Sequence, residues 1–84
     1  MSPSATSIHF DDVTMWVELT DGRTIGVPMA WFPRLLHAAP DQRARYRISA
    51  TGTGLHWEDL DEDISVEGLL AGKGDITVRR PDAA

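Results

Sequence analysis

The chain has 84 residues, a formal net charge of −5 and no cysteine. A chain of this length forms one small domain and leaves little core for a deep substrate cavity. The absence of cysteine excludes a disulfide scaffold and a thiolate zinc site, and it predicts a reducing, cytoplasmic setting. The acidic balance disfavours direct nucleic-acid binding, and no apolar run approaches the roughly 18 residues needed to cross a membrane.

The first half of the chain shows the alternation of β-strands. Strands are predicted around residues 8–10, over 13–20 and over 24–27, with Asp21 and Gly22 as the turn between the last two. A three-residue loop that pairs Leu19 with Ile25 and Val17 with Val27 is favoured over a two-residue loop. The shorter loop would slip the strands by one residue and expose the apolar set.

The second half of the chain alternates helical and extended patterns. A helix is predicted over residues 30–39, with Pro33 in its first turn, followed by a turn that Asp41 caps and a strand over 46–50. A second helix is predicted over 64–72. Its N-cap is Ser65, Ile64 and Leu69 form its hydrophobic staple, and Gly72 ends it.

These elements predict an α+β domain with one small antiparallel sheet of three to four strands and two short helices, in β-β-β-α-β-α order. The single domain is predicted over residues 7–72, after a flexible leader over 1–6. Residues 73–84 are predicted as a tail that carries a weak edge strand at 75–79.

Motifs for metal, cofactor and catalytic chemistry are absent from the sequence. The histidines at 9, 37 and 56 lack the spacing of metal ligands. The run from Asp59 to Asp63 starts like a calcium loop, but Ile64 and Leu70 stand where the loop needs glycine and glutamate. With no nucleophile motif and no phosphate-binding loop, the prediction is a non-enzymatic protein without cofactor or metal.

Acidic residues are concentrated in one part of the chain. Six of the thirteen carboxylates fall within ten residues, and residues 60–64 are predicted to form an exposed acidic loop anchored by Leu60 and Ile64. Trp57, beside this run, is predicted to be half exposed and to serve as an aromatic interface anchor. The predicted partner-binding residues are Trp57, Glu58, Asp59, Asp61, Glu62 and Asp63.

Basic residues are concentrated immediately before the acidic run, at Arg34, Arg43, Arg45 and Arg47. This stretch could form a small nucleic-acid site, but Tyr46 is its only interleaved aromatic residue. Neutralisation of the acidic run within the same molecule is the favoured interpretation.

An ordered set of short motifs resembles the DUF2442 family of small prokaryotic proteins. The motifs are Asp21-Gly-Arg23, Val27-Pro28, Trp31-Phe-Pro-Arg-Leu35, Gly54-Leu-His-Trp57 and Leu60-Asp-Glu-Asp-Ile-Ser-Val66, closed by Gly68-Leu-Leu-x-Gly72. Glu58 stands where family members often carry proline. The resemblance covers roughly residues 7–72 and implies a small α+β fold and bacterial or phage origin. Family members are regarded as candidate antitoxins, and the family supplies no catalytic residue to carry over.

The leading function hypothesis is an antitoxin-like module that neutralises a partner protein, encoded by a neighbouring gene, through the acidic loop and the adjacent tryptophan. The alternative is a phage-type, anti-CRISPR-like inhibitor that mimics DNA and covers a nucleic-acid-binding complex. A weaker alternative is a DNA-binding regulator that acts through residues 43–47. The sequence also allows a homodimer.

Overall fold

The computed structural model describes residues 3–72 of the chain. These residues form two three-stranded antiparallel sheets and three short α-helices, so the predicted α+β class is confirmed. The predicted single sheet, helix count and element order are wrong, because the described part has six strands and a third helix. The strands are Ala5–Phe10 (β1), Thr14–Leu19 (β2), Thr24–Pro28 (β3), Arg47–Ile48 (β4), Gly54–Trp57 (β5) and Glu62–Ser65 (β6). The α-helices are Pro33–Leu36 (α1), Pro40–Ala44 (α2) and Val66–Leu70 (α3).

The N-terminal sheet, in the order β1-β2-β3, buries the face that the alternation predicts. Met15, Val17 and Leu19 of β2 are all buried. Val13, expected on the same face, precedes the strand and is 65% exposed. The period of two therefore holds within β2 and ends where the chain enters the β1–β2 turn.

β1 begins at Ala5, so two residues of the predicted leader belong to the sheet. The register between β1 and β2 shifts between Ala5 and Ser7, which is a β-bulge. Ala5 and Ile8 are consequently both buried although they lie three residues apart. An irregular spacing of this kind cannot be read as an alternating pattern.

The apolar side chains of the β2–β3 hairpin share one face, as predicted, but the register of the two strands differs from the predicted one. Val17 pairs with Ile25 and Met15 pairs with Val27, two residues away from the predicted pairs. Gly22 adopts a φ of +91°, and the Leu19 amide donates to the Arg23 carbonyl at 2.9 Å. The loop has three residues, as predicted, but it begins one residue earlier in the chain than expected. Because the resulting shift in pairing is an even number of residues, the apolar side chains still share one face.

The predicted helix over 30–39 is divided into two short elements, and the turn predicted after it is a helix of its own. A 3₁₀ turn over Met29–Trp31 is followed by Phe32 with a φ of −131°, and α1 then starts at Pro33. α2 starts at Pro40 with Ala39 as its N-cap, so Asp41 lies in the first turn and is not the cap. Each proline is placed where its missing amide costs nothing, and each divides the helical run.

The second sheet, in the order β4-β5-β6, contains two strands that the sequence pattern did not predict. β6 places Glu62 and Ile64 on its buried side and Asp63 on its exposed side. Because the inward residue Glu62 is polar, the four residues of β6 do not show the alternation of apolar and polar residues by which a strand is recognised. The strand predicted over 46–50 is reduced to the two residues of β4.

α3 begins at Val66, two residues later than predicted, because Ile64 belongs to β6. The predicted cap is confirmed, since the Ser65 hydroxyl accepts from the Gly68 amide at 3.1 Å. Gly72 has a φ of +79°, which is the left-handed conformation expected at a helix end. The strand predicted at 75–79 lies outside the described residues.

The two sheets share one hydrophobic core and meet along β1 and β4. The Ala5 amide donates to the Gly52 carbonyl at 2.7 Å, and the Ile8 amide donates to the Tyr46 hydroxyl at 3.3 Å. The buried cluster also includes Leu35 of α1 and Leu69 of α3. No helix within residues 3–72 is long and apolar enough to cross a lipid bilayer.

Candidate functional site

The acidic segment, defined here as residues 58–63, is an ordered element and not the predicted loop. A 3₁₀ turn over Glu58–Leu60 leads into Asp61, whose φ of +53° lies in the left-handed region, and β6 starts at Glu62. Ile64 is buried and Leu60 packs against the core, as expected for the two anchors. Glu62, predicted to be exposed, is only 8% exposed because it points to the inner side of β6.

Arginines on α1, immediately after α2 and on β4 bind the acidic segment, as the favoured interpretation of the basic stretch predicts. Arg47 pairs with Glu58 at 2.8 Å. Arg45 pairs with Asp59 and also with Asp41, the latter at 3.0 Å. The charges of Glu58 and Asp59 are thereby paired within the molecule, although the paired side chains remain accessible to solvent.

Two carboxylates of the acidic segment are left without an arginine partner in the described part of the chain. Asp63 faces His56, with 2.7 Å between Oδ1 and Nδ1. The Asp61 carboxylate is exposed, and within residues 3–72 it has no ion pair or hydrogen bond. The Asp61 backbone carbonyl accepts from the Arg34 guanidinium, which fixes this turn against α1.

Arg43 stabilises the fold and is not available as a surface cation. Its guanidinium donates to the carbonyls of Leu35 and Leu36, both at 2.8 Å, and so caps the C-terminal end of α1. Its own carbonyl accepts from the indole of Trp57 at 3.0 Å. One of the four arginines of the basic stretch is thus engaged by the backbone of the fold.

Trp57 is a core residue, and the prediction of a half-exposed interface anchor is wrong. It is 1% exposed, and the rings of Phe10 and Tyr46 both lie 6.5 Å from its ring centroid. The side chain lies on the inner side of β5 because the alternation of the strand places both Leu55 and Trp57 there. Exposure of Trp57 was predicted from the acidic residues that follow it in the chain, which do not determine the direction of its side chain.

Exposed apolar side chains, which the sequence reasoning did not select, are concentrated elsewhere. Within residues 3–72 the exposed large hydrophobic residues are Val13 at 65%, Trp31 at 36% and Leu70 at 36%. Val13 and Trp31 lie at the same end of the N-terminal sheet, because the Met29 amide donates to the Val13 carbonyl at 2.9 Å and Trp31 follows two residues later. Pro28, opposite Thr14 on the adjacent strand, is also exposed there. We call Val13, Pro28 and Trp31 the apolar end.

Trp16 extends the apolar end onto the outer face of the same sheet. Its indole lies over Gly26, where a Cβ atom would come within 2.6 Å of Cζ3. The indole nitrogen donates to Asp11 at 3.0 Å, and the other carboxylate oxygen of Asp11 accepts from the backbone amides of Val13 and Thr14. These bonds, the indole first, lower the pKa of Asp11 below its ordinary value. The β1–β2 turn that carries Val13 is therefore held in one conformation.

An open groove of about 430 Å³ lies between this turn and α2. It is lined by Phe10, Asp11, Asp12, Pro40, Arg43 and Ala44. No group of three or more side chains that could hold a metal ion occurs among the described residues. The groove adds concave surface beside the apolar end.

Comparisons with known proteins identify a family and two solved structures that are similar to this chain. The family described as "Protein of unknown function (DUF2442)" matches residues 5–75. A crystal structure of a protein of unknown function from Rhodospirillum rubrum is 35% identical, with a TM-score of 0.78 over 89% of this chain and 93% of that one. The solution structure of an uncharacterised protein from Chromobacterium violaceum is 26% identical, with a TM-score of 0.73 over 86% of this chain and 68% of that one. No curated protein matches the chain.

Proposed function

This chain belongs to the DUF2442 family, and we propose that it is a non-enzymatic protein-binding module that neutralises a partner protein as an antitoxin does. The observation that carries the proposal is the apolar end, where Trp31 and Val13 expose apolar surface on an ordered scaffold. Tryptophan is among the residues that contribute most to protein–protein affinity. A rigid turn also presents such residues with little loss of conformational entropy on binding.

The acidic segment contributes charge at the rim of this surface. Arg34 links the two regions, because it lies three residues after Trp31 and donates to the Asp61 carbonyl. The partner surface is therefore an apolar pocket flanked by basic residues. Asp61 and Asp63 attract such a surface during encounter, whereas the apolar end holds the complex. Trp57 stabilises the scaffold and makes no contact with the partner.

The pairing of arginines with the acidic segment favours a protein partner over DNA mimicry. A mimic of DNA needs a row of carboxylates that remain unpaired, in order to replace phosphates. Glu58 and Asp59 are instead bound to Arg47 and Arg45. The same ion pairs occupy the arginines that a DNA-binding regulator would need.

Binding kinetics with a partner isolated from the native host test the division of roles. Trp31→Ala should speed dissociation at least about tenfold, because truncation of an aromatic hot spot costs about 2 kcal/mol. Leu70→Ala is the matched control, since Leu70 is equally exposed but lies on α3. Equal dissociation rates for the two variants would remove the apolar end from the interface.

The charges are tested in the same assay by combining Asp61→Asn with Asp63→Asn. The double variant should slow association several-fold and leave dissociation nearly unchanged, and wild-type association should slow as salt rises. Unchanged association rates in the double variant would show that the acidic segment does not steer binding.

A cellular assay tests the antitoxin mode itself. The product of the neighbouring gene is expressed alone and together with this chain. Toxicity that the wild-type chain relieves and the Trp31→Ala variant does not relieve is the expected result. A product that is harmless in both cases would contradict the antitoxin mode, and the search would turn to nucleic-acid-binding complexes.

A further inference from the structure

The backbone of β3 carries a row of hydrogen-bonding groups along an edge of the N-terminal sheet that no other strand of residues 3–72 covers. The bonds from the Leu19 amide to the Arg23 carbonyl and from the Met29 amide to the Val13 carbonyl fix the phase of the β2–β3 ladder. Along an antiparallel strand, every second residue directs its amide and carbonyl towards the neighbouring strand, and the residues between direct theirs away. Ile25 and Val27 direct their amides and carbonyls towards β2. Thr24, Gly26 and Pro28 direct theirs away from it, and no residue between 3 and 72 bonds to them.

The other sheet edges of the described part differ from β3. The β1 edge is covered, since the amides of Ala5 and Ile8 donate to Gly52 and Tyr46, which lie on either side of β4. The β6 edge carries the exposed charge of Asp63, which opposes pairing with a like strand. All five residues of β3 are uncharged. β3 thus lacks the charge by which an edge strand avoids pairing.

We propose that β3 pairs antiparallel with β3 of a second copy of this chain, with Gly26 opposite Gly26 on a two-fold axis. The two glycines exchange two hydrogen bonds, and each Thr24 amide donates to the Pro28 carbonyl of the other copy. Pro28 has no amide hydrogen, so the Thr24 carbonyl opposite it is the one group left to solvent. The edge is therefore complementary to itself in hydrogen-bond pattern, and β3 brings no charged side chain to the contact.

A second copy fits this edge better than an unrelated strand because the pairing closes on itself. Pairing of β3 with a different edge of another copy would leave β3 free at one end and that other edge free at the opposite end, and so would build open chains. The outer face adds to the contact, since each Trp16 indole lies over its own Gly26 and the two glycines are adjacent across the axis. The two indoles are thereby brought side by side. The result is one six-stranded sheet. This inference does not rest on the proposed function.

Sedimentation equilibrium and amide hydrogen exchange on the full chain test the proposal. A reversible dimer should form as protein concentration rises, and the amides of Thr24 and Gly26 should become protected in parallel with it. The amides of Asp63 and Ser65 face away from β5, and no backbone carbonyl between residues 3 and 72 accepts from them; they are the internal control and should stay unprotected. Because each copy carries a charge of −5, added salt should strengthen the dimer, opposite to its effect on partner association.

Thr24→Pro removes the outward amide and leaves the ladder with β2 intact. It should raise the dissociation constant of the dimer about tenfold or more, since two hydrogen bonds are lost across the axis. Thr24→Val keeps the amide and the shape and should dimerise like the wild type. If thermal melting shows that Thr24→Pro is unfolded, the proposal is tested by hydrogen exchange of the Thr24 and Gly26 amides in the wild-type chain.

Four results would overturn the proposal. The first is a monomer at all concentrations, and the second is a dimer in which Thr24 and Gly26 exchange freely. The third is protection of these amides that does not depend on concentration, which would mean that the edge is covered from within one chain. The fourth is a series of growing species, which would indicate pairing between unlike edges.

Discussion

Replacement of Trp57 by phenylalanine separates a core role from an interface role. The change removes two ring carbons and the indole N–H that donates to the Arg43 carbonyl. At about 0.8 kcal/mol for each buried carbon, plus about 1 kcal/mol for the hydrogen bond, the expected loss is about 2–3 kcal/mol. A side chain that is 1% exposed has no solvent contact to offset this loss.

Trp31→Phe is the matched control, because it makes the same chemical change at a side chain that is 36% exposed. Its expected effect on the unfolding free energy is within about 0.5 kcal/mol. Both variants are measured by urea unfolding followed by circular dichroism, at one protein concentration so that dimerisation contributes equally. Equal losses in the two variants would refute the assignment of Trp57 to the core.

Three further predictions concern the anchors, the pH dependence and metals. Ile64→Ala should lower the unfolding free energy by about 2 kcal/mol or more, whereas Asp63→Asn, on the exposed side of the same strand, should cost under about 1 kcal/mol; equal melting-temperature losses would contradict this register. Because the pKa of Asp11 is lowered, its stabilisation is complete above its ordinary pKa of 3.8 and is lost as pH falls below that value. Urea unfolding at stepped pH should therefore show a shallower acid decline for Asp11→Asn than for the wild type. Calorimetric titration with calcium and zinc should show no sub-micromolar site, and a stoichiometric one involving Asp59, Asp61 or Asp63 would contradict the sequence interpretation.

The sequence determined those features that depend on neighbouring residues. The alternation in β2, the left-handed Gly22 in the hairpin and the cap of α3 by Ser65 are all local, and all are present in the structure. The engagement of the acidic segment by the arginines was also predictable, because the two charged runs are close in the chain and opposite in sign. The motifs that resemble DUF2442 likewise placed the chain in its family.

The tertiary structure alone decided which side chains of the second sheet face inward. Trp57 is buried because Phe10, Tyr46 and the Arg43 carbonyl surround it, and all three lie more than ten residues away. Glu62 is buried because β6 pairs with β5 in a register that places Ile64 opposite Leu55. A charged run is usually solvated, so its composition alone predicts exposure, whereas strand pairing sets the direction of each side chain residue by residue. The apolar end likewise exists only because the β1–β2 turn and the segment after β3 meet at one end of the sheet.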